Sequence, residues 1–145
     1  MKKLLFLAVI LVLAGNFLVQ EKGIAIPPLS LGISGADSPL ENAYNNRQSN
    51  LQVQGEGVVT KMLPDDLAGS RHQKFILRLN TGQTLLISHN IDLAPRISGL
   101  SVGDTVEFYG EYEWNSKGGV IHWTHHDPNG HHVDGWLKHE GQTFR

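Results

Sequence analysis

The chain's 145 residues supply enough patterned sequence for one small hydrophobic core and argue against a second domain. With no cysteine there is no disulfide framework, no thiolate metal site and no cysteine nucleophile, so any metal must be held by nitrogen and oxygen. A net charge of -2 and a pI near 6.4 exclude nucleic-acid binding driven by overall charge and leave room only for a local basic patch.

The chain opens on Met1-Lys2-Lys3, a positive start, followed by an apolar run from Leu4 to Leu13 of the length of a signal-peptide core rather than a membrane span. Ala14 and Gly15 offer small residues for cleavage, but Leu13 breaks the small-x-small pattern and apolar character resumes at Phe17 to Val19. Residues 1–22 are therefore expected to be a signal peptide or an uncleaved signal anchor. The protein is expected to be exported, periplasmic or secreted, and to meet a membrane only through that segment. Residues 23–50 are rich in Gly, Pro, Ser and Asn without a sustained period, which predicts a flexible linker.

From Leu51 the texture changes. Val53, Val58-Val59 and Met62-Leu63 predict a long first strand, with Gly55 and Gly57 as points where it bends or bulges. Arg71 to Leu79 sets Gln73, Phe75, Leu77 and Leu79 against His72, Lys74, Ile76 and Arg78, the period of a half-buried strand. Asn80 to Gln83 reads as a hairpin turn and Thr84 to Ser88 as a third strand. Asp92 then suits the cap of a short helical turn with Leu93, Ile97 and Leu100 facing the core. A fourth strand is expected from Thr105 to Trp114 and a fifth from Val120 to His125, with Asn115 to Gly119 between them. The tail from Pro128 shows no period and has Trp136 and Phe144 as anchors. Five strands with one short helix between the third and fourth match an all-β, OB-like Greek-key barrel over residues 51–145 with an irregular His-rich tail.

The blocks SRHQKFILRL (70–79), LLISHNIDLAPRI (85–97), GEYEWNSKGGVIHWTHHDP (110–128) and GW (135–136) resemble a family of small exported bacterial proteins catalogued as a domain of unknown function, over about residues 52–144. The resemblance implies a single exported domain and assigns no catalytic residue.

Five of the eight histidines, His122, His125, His126, His131 and His132, fall within eleven residues. Imidazoles at that density beside Asp127 make a candidate divalent-metal or proton-transfer site. On a strand, His122, Thr124 and His126 share one face, which leaves Ile121, Trp123 and His125 for the core. In an OB barrel the third strand meets the fifth, which would carry His89 to the cluster. The expected metal ligands are thus His89, His122, His125, His126 and Asp127, for zinc or manganese, although no named zinc signature is matched. An open position with bound water would permit hydrolysis, with His72, His89, His122 and His125 as catalytic candidates. Against this stands a bland reading, in which the histidines bond backbone carbonyls or pack on Trp123 and Trp136.

Arg71, Lys74 and Arg96, with Trp114 and Trp123, are candidates for binding a small ligand or an extracellular polyanion, since OB barrels pair cationic strips with stacking platforms. The competing expectation is that Lys74 and Arg78 pair with Glu107 and Glu111 across the sheet. A nuclease-like phosphodiesterase using Asp65, Asp66, Asp92, Arg71 and Arg96 rests on analogy of fold alone. Three functions stay open: a ligand- or metal-binding module, a metal-dependent hydrolase, and an envelope-interaction module.

Overall fold

The computed structural model describes residues 38–145, so the expected signal segment and residues 23–37 of the expected linker lie outside it. It contains one helix, α1 (Ser38–Asn45), and seven strands: β1 (Leu51–Met62), β2 (His72–Arg78), β3 (Thr84–Asn90), β4 (Thr105–Glu113), β5 (Val120–His122), β6 (Trp136–His139) and β7 (Gln142–Phe144). The sheet order is β1-β2-β3-β5-β4-β6-β7, and β1 also pairs with β4. That last pairing closes β1-β2-β3-β5-β4 into the expected five-stranded OB-like barrel.

Closure depends on the length of β1. Its first part, Leu51 to Val58, runs antiparallel to β4, and its second part, Val58 to Met62, runs antiparallel to β2. The register slips between Val59 and Lys61, not at the glycines expected to bend it. Gly55 serves a different need, because a Cβ there would sit 2.8 Å from the Phe108 ring. β3 and β5 pair in parallel, Leu86 with Val120 and Ile87 with Ile121. Inward residues of the five strands, among them Val59, Phe75, Leu77, Ile87, Phe108 and Ile121, form one cluster of fully buried side chains. The alternation of β2 holds as expected, with Gln73, Phe75 and Leu77 buried and His72, Lys74 and Ile76 half-buried outside.

Three elements differ from the sequence reading. Part of the expected linker is α1, whose Leu40 and Ala43 are fully buried in the barrel's core cluster. The expected helix between β3 and β4 is reduced to one hydrogen-bonded turn, Ala94 N–H donating to the Asn90 carbonyl at 3.1 Å, because Pro95 follows and has no N–H to continue it. Asn90, not Asp92, caps that turn by accepting from Asp92 N–H at 2.9 Å. Leu93 points outward, while Ala94, Ile97 and Leu100 are buried. Gln73 fixes the segment by bonding both the N–H and the carbonyl of Ile97, at 2.9 and 3.0 Å. The tail, expected to be irregular, forms the β6–β7 hairpin, turning on Glu140 and Gly141 with φ of 49° and 77°, the two positive values that a two-residue type I′ turn requires.

Candidate metal centre and the adjoining cavity

On β4, Glu111 and Glu113 are two residues apart and therefore share the outer face. Register places His122 of β5 directly across from Glu111, with Glu113 opposite Val120. Cross-strand neighbours hold their Cβ atoms about 5 Å apart, close enough for carboxylate and imidazole to converge. They do so: His122 Nε2 lies 3.1 Å from Glu111 Oε2 and 3.5 Å from Glu113 Oε1. One donor atom from each of the three lies within 4.8 Å of the others. Ligands about 2.1 Å from one zinc ion stand about 3.4 Å apart in a tetrahedron, so these separations suit a shared cation. The nitrogen itself is withdrawn from solvent and has hydrogen-bond geometry to neither carboxylate. A buried polar atom in that position calls for a partner, and a cation between the three groups supplies one.

His132 lies beside Glu111. Its Nε2 is 3.4 Å from Glu111 Oε1, and its Nδ1 bonds the Val133 carbonyl at 2.8 Å. The ring stacks on Trp123 at 4.0 Å and 6°.

The fifth strand ends at His122, three residues earlier than expected, because Trp123 takes a φ of 55°. For a bulky residue that conformation is an outlier, and it reverses the alternation beyond it. Trp123 is consequently half-exposed, and Thr124 and His125, expected on opposite faces, are both buried. The backbone here is clamped by Gly135, whose N–H donates to the His125 carbonyl at 3.0 Å. A Cβ on Gly135 would fall 1.9 Å from the Trp123 carbonyl oxygen.

Beside the carboxylates, β2, β3 and β5 and their flanking loops line an open cavity of about 240 Å³, formed by Ser70, His72, Ser88, Asn90, Leu93, His122, Trp123 and His125. His122 belongs both to this cavity and to the carboxylate group. The fold thus brings together four residues singled out in the sequence: His72, His122, Trp123 and His125. His89 lies on the inner face of β3, fully buried, with Nε2 donating to the Pro95 carbonyl at 2.9 Å and Nδ1 accepting from the Thr124 hydroxyl at 2.7 Å. Both nitrogens are committed to these bonds, and His89 is not among the residues that converge on Glu111 and Glu113. Burial lowers its pKa to about 4, against the opposing effect of the Pro95 bond.

Other expected ligands are also engaged elsewhere. His126 is exposed and pairs with Asp134 at 2.7 Å. Asp127 accepts backbone N–H groups from Asn129, His131 and His132 at 3.0, 2.8 and 2.8 Å, which shapes the loop. The Asn129 N–H, followed by those of His132 and His131, holds its carboxyl below the ordinary carboxylate range. The cationic strip is neutralised in place: Arg71 bonds Asp92, Lys74 reaches Asp66 at 3.2 Å, and Arg96 pairs with Asp65. These aspartates are the carboxylates of the nuclease-like reading, and their pairing removes them from it. Lys74 pairs with Asp66 and not with a glutamate across the sheet. Trp114 does not line the cavity; it stacks on Tyr44 of α1 and donates Nε1–H to the Tyr44 carbonyl. The Asp104, His139 and Glu140 group is a structural tie, since His139 bonds Asp104 at 2.8 Å and Asp104 also caps Ser101.

The family described as "Protein of unknown function (DUF3465)" matches residues 24–145. The chain belongs to that family. No curated protein matches the sequence. For this DUF3465 protein, then, the side chains themselves carry the functional argument. Glu111, Glu113 and His132 were absent from the ligand set expected from sequence. The available signal was the pair of glutamates two apart on the polar face of one strand, preceding a strand with an outward histidine.

Proposed function

We propose that this DUF3465 protein is an exported OB-like module that binds a divalent cation through Glu111, Glu113 and His122. The observation that carries the reading is the His122 Nε2 atom, out of water and set between two carboxylates without a hydrogen bond to either. Two oxygens and one nitrogen suit zinc or manganese, and three protein ligands leave a position open. Export rests on the Lys2-Lys3 start and the apolar run that follows. The test is metal analysis and calorimetry on the full chain purified without a histidine tag. Stoichiometric zinc or manganese is expected, with binding lost in Glu111→Gln/Glu113→Gln. An empty protein that takes up neither ion would overturn the reading. For export, mass spectrometry of the protein outside the cytoplasm should give a mature chain or anchored full chain, and a purely cytoplasmic product would refute it.

Metal-dependent hydrolysis is a second reading, favoured by one feature: His122 is shared between the carboxylate group and a cavity large enough for a small substrate. Turnover of model esters by metal-loaded protein, lost on His122→Ala, is its expected outcome. The committed cations make a phosphodiester the less suitable substrate.

A further inference from the structure

The carboxylate group explains His122 but not the two other histidines of the cavity. His72 bonds the Ser70 carbonyl through Nδ1 at 2.8 Å, and His125 bonds the His126 carbonyl through Nδ1 at 2.8 Å. A carbonyl only accepts, so each Nδ1 carries the proton and each Nε2 is left with its lone pair as the one nitrogen available to the cavity. Metal-ligating histidines are held in this way, with the other ring N–H on a backbone carbonyl that sets tautomer and orientation. The two rings come from distant parts of the chain, the start of β2 and the loop after β5, and both line the one cavity.

The rest of the lining sharpens the ligand class. It contains no carboxylate and no lysine or arginine; beyond the three histidines its polar groups are the Ser70 and Ser88 hydroxyls, the Asn90 amide and the Trp123 indole N–H. Hard cations such as magnesium or calcium, which are held chiefly by carboxylates, find none in this lining. Late first-row ions accept neutral imidazole readily. At about 240 Å³ the cavity has room for an ion and bound water.

We infer that the cavity is a second metal site, selective for nitrogen-seeking ions such as copper(II), in which His72 and His125 are the ligands through Nε2. It borders the Glu111, Glu113 and His122 site, since His122 lines the cavity too, but it shares no ligand with that site, so variants of one ligand set leave the other in place. The probe is copper(II), titrated calorimetrically into the metal-stripped full chain without a histidine tag and followed by pulsed electron paramagnetic resonance. The remote, protonated Nδ1 of each copper-bound imidazole modulates that signal and can be counted. Two copper equivalents are expected, one of them showing two imidazoles. His72→Asn/His125→Asn keeps a donor near each Nδ1 position and removes only Nε2, so it should lose that equivalent and its two-imidazole signal while the metal-free melting temperature stays unchanged. Glu111→Gln/Glu113→Gln should retain the two-imidazole signal. Unchanged stoichiometry and spectrum in the Asn pair, as copper on the exposed His126 or His131 would give, overturn the inference. The wild-type spectrum needs no variant, and fewer than two imidazoles on every bound copper overturns it as well.

Discussion

Burial without a charged partner keeps the His89 ring neutral in the folded protein, where its pKa falls to about 4 from 6.5. Between those values the unfolded chain binds the extra proton, so the stability that His89 contributes is intact above about pH 6.5 and lost as the pH falls toward 4. The loss from pH 7 to pH 4.5 is expected to be about 2–3 kcal/mol, at 1.36 kcal/mol per unit, measured by denaturant unfolding. His89→Gln, which retains a donor for the Pro95 carbonyl, should remove that slope; a variant with the wild-type slope would rule His89 out as its source. Asp92, Asp104 and Asp127 are held below the ordinary carboxylate range mainly by backbone N–H bonds, so their contribution is lost only at lower pH, below about 4. His122 differs from His89 by one step of alternation. An outward ring meets the glutamates of the next strand, whereas an inward ring is consumed by Thr124 and Pro95.

At the scale of elements, α1 carried a signal that the linker reading passed over. Ser38-Pro39-Leu40-Glu41 has the spacing of a capping box with proline in the first helical position. Leu40 and Ala43, three apart, then share a face and enter the core. Leu40→Ala is expected to destabilise the protein by about 2–5 kcal/mol, as for other fully buried leucines, and a change below about 0.5 kcal/mol would show that α1 is not part of the cooperative unit. The β5 terminus depends on Gly135, because the backbones of Trp123 and Tyr109 both approach it more closely than a Cβ allows. Gly135→Ala should therefore displace the segment from Trp123 to His125. Weaker copper uptake and a lower melting temperature are expected together, and an unperturbed variant would contradict the packing. Trp123 itself was legible as an aromatic beside histidines, but its left-handed backbone was not, since tryptophan has no preference for that conformation.

For the whole molecule, ligand binding and folding are linked. A divalent ion that binds only the folded barrel at a hundred times its dissociation constant should raise stability by about 2.7 kcal/mol. Zinc or manganese should produce that shift in wild-type protein and not in Glu111→Gln/Glu113→Gln, as read by denaturant titration; equal shifts in both would place the ion elsewhere. Alternating apolar residues determined the five barrel strands and their inward faces, because period two is a local property of an extended chain on a half-buried sheet. Composition determined that any metal must meet nitrogen and oxygen. Only the tertiary structure decided which side chains meet. Register across β4 and β5 joined Glu111 and Glu113 to His122, and barrel closure brought His72 to His125. Packing also engaged both nitrogens of His89, through the Pro95 carbonyl and the Thr124 hydroxyl. Those outcomes depend on pairing between residues far apart in the chain and on backbone bonds that no local pattern encodes.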